Sequence, residues 1–225
     1  MYIVFCILQG FGLTEIAVLV IVNSEMTEPK RSILYTIGHS NHTIEDFIGL
    51  LKRYEVTAVA DIRSAPYSHY CPQFNKDILG ADLKTANIEY MFLGKELGAR
   101  PDDPSCYEGS RVSFQRIAKR KEFKRGLQHL LTGISKYRIA LMCAEKDPLQ
   151  CHRTVLVCRY LKGPNLSIKH ILEDGSIEDH PEAELRLVRI LKIESTLFEP
   201  TKTETELIEQ AYDQQAQKIS YLSEQ

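Results

Sequence analysis

The chain has no tryptophan, no excess charge of either sign and no regular cysteine spacing. Each absence removes a class of function. Without tryptophan, ring stacking falls to 11 Tyr and 8 Phe. A formal net charge of −2 and a pI near 6.4 give no global basic field to draw the protein onto nucleic acid. A local basic patch is the remaining route. Six cysteines are scattered through 225 residues, a length that buries a sufficient core without staples. They read as reduced thiols of a cytoplasmic protein and not as a disulfide framework. No Cys-x-x-Cys pair occurs, so no compact zinc motif is present. Internal repeats are also lacking.

The N-terminus lacks the marks of a targeting segment. Residues from Tyr2 to Val22 are mostly apolar, but no Lys or Arg precedes them and Glu15 would sit in hydrocarbon. Residues 1–30 therefore read as an N-terminal extension, with Met26 as an alternative start. No stable membrane association is expected.

Strand-like and helix-like runs alternate after that point. Ile33–Ile37, Val56–Ile62, Ile88–Leu93, Arg138–Cys143 and Ser167–Leu172 are short apolar runs that suit buried strands. Between them fall helical patterns near 43–53, 76–85, 114–135 and 151–161, and Pro181 opens another. The alternation predicts an α/β fold in three layers, Rossmann-like, with a mainly parallel sheet covered by helices on both faces. Residues 31–195 read as one such domain. Residues 196–225, charged and rich in Gln, read as a helical or disordered tail.

Three strand ends carry chemistry-bearing residues. The first strand runs into Gly38-His39-Ser40, the second into Asp61-Ile62-Arg63-Ser64. The fourth runs into Cys143, then a polar turn containing Glu145, then Cys151-His152-Arg153 at a helix start. In open parallel sheets, ligands bind beyond the carboxyl ends of strands. Helix N-termini favour anions and lower the pKa of a thiol. The candidate catalytic residues are His39, Asp61, Cys143, Glu145, Cys151 and His152. The candidate substrate-binding residues are Ser40, Arg63, Ser64 and Arg153. Histidine would move protons, Asp61 or Glu145 would orient it, either cysteine could be the nucleophile, and the arginines would clamp an anion. Asp61 with Arg63 also reads as a plain structural ion pair. No metal is assigned, although Cys143, Cys151 and His152 form a subordinate zinc candidate. A basic run, Lys119 to Arg125, suits a solvated helix face or nucleic-acid contact.

Five segments, in order, resemble the bacterial and archaeal family called domain of unknown function 488. They are Thr36-Ile37-Gly38-His39-Ser40, Asp61-Ile62-Arg63-Ser64, Pro72-Gln73-Phe74-Asn75, Leu93-Gly94-Lys95-Glu96-Leu97-Gly98 and the run from Cys143 to Arg153. The likeness covers about residues 33 to 190. It departs at Ser68-His69, where the family pattern has Ser-Arg, and at Gly98-Ala99, where it has two glycines. The resemblance implies a shared site at these positions and leaves the reaction unassigned. The expected partner is a small anionic molecule or nucleic acid. The leading expectation is a hydrolase or transferase for a phosphate-bearing, nucleotide-like or nucleic-acid-derived substrate. A noncatalytic nucleotide or nucleic-acid binding module and a metal-dependent hydrolase are the alternatives.

Overall fold

A computed structural model describes residues 31–193 and 202–223. The expected N-terminal extension, and with it the alternative start at Met26, lies outside the described residues. The described residues begin with strand β1 (Ser32–Gly38), helix α1 (Ile44–Arg53), strand β2 (Ala58–Asp61), helix α2 (Lys76–Thr85) and strand β3 (Glu89–Phe92). A short helix α3 (Gly94–Leu97) and a two-stranded hairpin, β4 (Tyr107–Glu108) with β5 (Arg111–Val112), come next. Helices α4 (Phe114–Lys119) and α5 (Lys121–Ile134) follow, then β6 (Ile139–Cys143). A π-helical segment (Arg153–Cys158) runs into α6 (Arg159–Leu161). The chain ends with β7 (Leu166–Ile171), β8 (Ile177–Asp179), α7 (His180–Leu191) and α8 (Glu204–Ile219).

The main sheet has the order β3-β2-β6-β1-β7-β8. All neighbours are parallel except β8, which runs antiparallel to β7. Helices cover both faces, so the three-layer, Rossmann-like α/β architecture holds. Alternation along the strands divides the core. Tyr35, Ile37, Val59, Ala140 and Met142 meet Phe47, Leu51, Leu79 and Leu83 of α1 and α2. Leu34, Ala60, Ile139, Leu141 and Cys143 meet Phe123 and Leu130 of α5, the 155–158 segment, and Leu187, Ala211 and Tyr212 of α7 and α8.

Register positions the site. Gly38 pairs with Cys143 and Asp61 with Met142, so the ends of β1, β6 and β2 lie side by side. The three polar strand ends that the sequence singled out therefore share one rim.

Two elements differ from the sequence reading. The basic helix expected over Phe114–Ser135 breaks at Arg120, which has extended backbone and caps α5. Of the two readings of residues 196–225, a helical or a disordered tail, residues 204–219 take the helical one as α8, but this helix is built into the core and is no tail. Thr203 and Glu206 form a reciprocal capping box at its start. Ala211 and Tyr212 are fully buried. Burying such an aromatic side chain contributes about 1.5–3 kcal/mol. Gln215 donates from Nε2 to the Leu149 carbonyl at 2.9 Å, so α8 also pins the turn that leads to Cys151.

Candidate functional site

The turn after β6 is tied down from three sides. Arg153 donates from Nη1 to the Glu145 carbonyl and from Nη2 to the Lys146 carbonyl at 2.9 Å. Arg186 of α7 grips Asp147 through Nη2 at 3.0 Å. Gln215 holds Leu149 from α8. The glycine at position 38 is explained by the same turn. A Cβ there would lie 1.9 Å from the Glu145 carbonyl oxygen, inside any real contact. Glu145 thus serves the site through its backbone, and its carboxylate side chain is exposed.

The rigid turn brings Cys143, Cys151 and His152 together. Their donor atoms lie within 4.8 Å of one another. His152 Nε2 is 3.0 Å from the Ile62 carbonyl, which only accepts, so Nε2 carries a proton. Nδ1 is left facing both sulfurs, 3.5 Å from Cys143 and 3.8 Å from Cys151. The Arg153 backbone N–H donates to Cys151 Sγ at 3.4 Å, so the sulfur receives a free amide of the helical start. That helical start, expected at Cys151, begins at Arg153 with the wider π-helical turn, a form enriched at functional sites.

Electrostatics separate the two thiols. Burial opposes ionisation of Cys151. Hydrogen bonding from the Cys143 thiol, the Arg153 charge and His152 outweigh it and lower its pKa well below the ordinary thiol value. Cys143 is driven the other way, by its bond to Cys151 and by burial. Both effects favour Cys151 over Cys143 as the seat of a negative charge. Cys158 is fully buried, and burial pushes its thiol up.

Arg153 is 0% exposed. Among the described residues no carboxylate lies within ion-pair distance of it, and its buried Nε has no hydrogen-bond partner. The clamp role expected for it meets a plain obstacle, since both terminal nitrogens point at the protein's own carbonyls.

The other half of the rim is closed on itself. Asp61, fully buried, accepts from Arg63 Nε at 2.9 Å and Nη2 at 2.6 Å, from the Arg63 amide at 3.0 Å and from the Tyr90 hydroxyl at 2.7 Å. Arg63 Nη2 also donates to the Phe74 carbonyl, and Nη1 to His39 Nε2 at 3.3 Å. This geometry is that of the ion pair rather than the clamp. His39 gives its Nδ1 proton to the Ser40 carbonyl and stacks on Phe74 with centroids 4.4 Å apart. Burial first, then the Arg63 charge, lowers the His39 pKa to about 4. His39 is therefore a neutral, fully engaged ring at neutral pH. Ser40 takes a left-handed backbone with φ of 46°. Ser64 accepts the Arg100 amide at 2.9 Å and crowds Gly98, whose absent Cβ would lie 2.4 Å from its oxygen.

Sequence reasoning missed Tyr90, Phe74 and the Ile62 carbonyl. Tyr90 was within reach, because a tyrosine beside a polar strand end is a natural second partner for a carboxylate. A backbone carbonyl carries no sequence signal. The basic run is divided: Arg120 pairs with Asp103 and Glu122, and Arg125 with Glu96.

The donor set Cys143, Cys151 and His152 is weakly compatible with zinc. Its span suits one ion, and the Ile62 carbonyl orients the imidazole as an outer partner would. The adjacent fixed positive charge of Arg153 opposes a dication. Among the described residues no helix is long and apolar enough to cross a membrane. No curated protein and no solved structure matches the chain. A family model matches residues 43–160, which take in Asp61, Arg63, Ser64 and the whole run from Cys143 to Arg153. That match spans more than half of the chain, and the protein belongs to the family described as domain of unknown function DUF488.

Proposed function

We propose that this protein is a thiol-dependent enzyme of the hydrolase or transferase type, with Cys151 as its nucleophile. One observation carries the reading: the Cys151 sulfur accepts the backbone N–H of Arg153, whose wholly buried guanidinium has no carboxylate partner among the described residues and whose charge helps to lower the Cys151 pKa. A buried cation without a counterion costs several kcal/mol. One thiolate cancels that charge. Two thiolates around a zinc ion would leave Arg153 uncompensated, which favours the thiol reading over the metal-dependent hydrolase.

The remaining groups have roles that follow from their contacts. Cys143 hydrogen-bonds to the thiolate and sets its protonation. His152, with Nε2 anchored on Ile62, offers Nδ1 as the proton acceptor and donor. The Asp61–Arg63–Tyr90 cluster fixes the neighbouring wall, and burial, with the Arg63 charge second, keeps His39 neutral. Arg153 favours negative charge on this rim, so the substrate class is an electrophile that is anionic: phosphate-bearing, nucleotide-like or derived from nucleic acid. A noncatalytic binding module would use the same rim without forming a bond to sulfur.

The test is the rate of iodoacetamide alkylation at each cysteine against pH, resolved by peptide mapping, with and without inorganic phosphate or nucleotides. Cys151 should react at lower pH than Cys158, and anions should slow it. A Cys151 that titrates like an ordinary buried thiol removes the nucleophile. Anion binding without any effect on Cys151 moves the protein to the binding-module class.

A further inference from the structure

The Cys143 thiol and the Arg153 charge both lower the Cys151 pKa. The same thiol is also placed to react with that sulfur, since the two sulfurs share one imidazole nitrogen. Cys143 ends β6 and Cys151 precedes the π-helical segment. The turn between them is the one that Arg153, Arg186 and Gln215 hold in place. The two sulfurs are therefore kept as neighbours, within 4.8 Å, by structure outside themselves.

We infer that Cys143 and Cys151 form a reversible disulfide, in which a small peroxide oxidises Cys151 and Cys143 resolves it. The inference rests on the reading of Cys151 as the activated sulfur. In the first step the thiolate attacks one peroxide oxygen. The O–O bond breaks, Cys151 becomes a sulfenic acid, and the other oxygen leaves as water or alcohol after taking a proton. In the second step Cys143 gives its proton to His152 Nδ1, 3.5 Å away, and its sulfur attacks Cys151 Sγ. The S–O bond breaks, the S–S bond forms, and the oxygen leaves as water with the proton from His152. A dithiol reductant restores both thiols.

Size and charge bear on the oxidant and on the direction of poise. Cys151 is 2% exposed and Cys143 6%, so a peroxide, as a very small two-electron oxidant, meets little hindrance. Closing the disulfide removes the thiolate that balances Arg153. The reduced form is thereby favoured and the bond is an easily reduced one. Oxidation would take the nucleophile out of service until a dithiol returned it.

The full chain should be treated with stoichiometric hydrogen peroxide and followed by intact mass and peptide mapping. The expected product has lost two hydrogens, carries a Cys143–Cys151 cross-link and regains both thiols with dithiothreitol. Cys71, Cys106 and Cys158 should remain alkylatable after denaturation. Cys143→Ser should abolish the cross-link and leave a sulfenic acid on Cys151 that dimedone traps. Cys143→Ala gives the same readout should the serine variant fail to fold. Rapid alkylation of Cys151 without any cross-link overturns the inference and leaves the nucleophile standing. Slow, ordinary alkylation of Cys151 together with no cross-link overturns both.

Discussion

Arg63 and Arg153 sit on the same rim, and each follows an acidic group by two residues. In Asp61-Ile62-Arg63 the arginine amide donates to Asp61 Oδ1 at 3.0 Å. In Cys151-His152-Arg153 the arginine amide donates to Cys151 Sγ at 3.4 Å. The local backbone device is the same, and the side chains differ. Arg63 closes a two-point ion pair with its own aspartate and fills its remaining directions with Phe74 and His39. Arg153 turns to two carbonyls and leaves Nε unpartnered. A carboxylate holds its charge at neutral pH without help, so the first arrangement is complete. A thiol holds charge only where its surroundings lower its pKa, so the second arrangement couples Arg153 to the state of Cys151. The first wall is built to stay fixed, and the second is built around a group that changes.

The largest effect should come from breaking the complete pair. Asp61→Asn leaves Arg63 buried with no carboxylate, and the expected destabilisation is about 3–5 kcal/mol in urea unfolding. Cys151 alkylation should then keep its pH midpoint, because the two walls carry separate charges. A loss of Cys151 reactivity equal to that of an Arg153 variant would show that the two walls act as one.

His39 tests the same pair through pH. Its folded pKa is lowered, from 6.5 to about 4. Between those values the unfolded chain binds a proton that the folded chain does not. Stability from this group is therefore complete above pH 6.5, falls as the pH drops toward 4, and is level below that. The size is up to about 3 kcal/mol at 1.36 kcal/mol per unit. His39→Gln should flatten that part of the stability–pH curve. An unchanged slope in the variant would assign the acid limb to His170 and His180, whose pKa values burial also lowers.

The parts legible in the sequence were those set by local pattern. Apolar runs ending in polar residues marked β1, β2 and β6, and a parallel sheet then brings their ends to one rim. What stayed hidden depended on burial. Arg63 and Arg153 look alike as letters, and only the fold shows that one has a carboxylate and the other has carbonyls. The packing of the C-terminal helix was hidden because its buried stripe is narrow: Ile208, Ala211, Tyr212 and Gln215 against an otherwise polar helix. Tyr212 matters more than its neighbours suggest. Its hydroxyl donates to Glu184 at 2.8 Å and lies 3.2 Å from His180 Nε2, and His180 continues to His170 and Thr36. No local periodicity announces a chain of contacts drawn from four separate elements.

Arg153→Met gives a smaller loss of stability and a larger chemical change. The Glu145 and Lys146 carbonyls lose their donors, which costs about 1–3 kcal/mol. Removal of a buried cation offsets part of that loss. Cys151 loses one of the groups that hold its pKa down, so its alkylation midpoint should move to higher pH. Arg153→Lys keeps the charge without the fork and should return the midpoint most of the way. Equal midpoints in the wild type and the methionine variant would detach Arg153 from the thiolate and end the contrast with Arg63.

Tyr90→Phe should have the smallest effect, and it measures how complete the first wall is. The Tyr90 hydroxyl donates to Asp61 Oδ2 at 2.7 Å, while Arg63 supplies three further N–H donors to the same carboxylate. Burial and the Asp61 charge raise the tyrosine's pKa, so the hydroxyl stays protonated and donating throughout the neutral range. Its removal deletes one neutral donor from a carboxylate that keeps its ion pair, and about 0.5–1.5 kcal/mol is the expected cost. The Cys151 midpoint and the His39-dependent acid limb should both be unchanged. A cost approaching that of Asp61→Asn would mean that Tyr90 holds Asp61 in place for Arg63. The first wall would then depend on β3 as much as on its own two-residue turn.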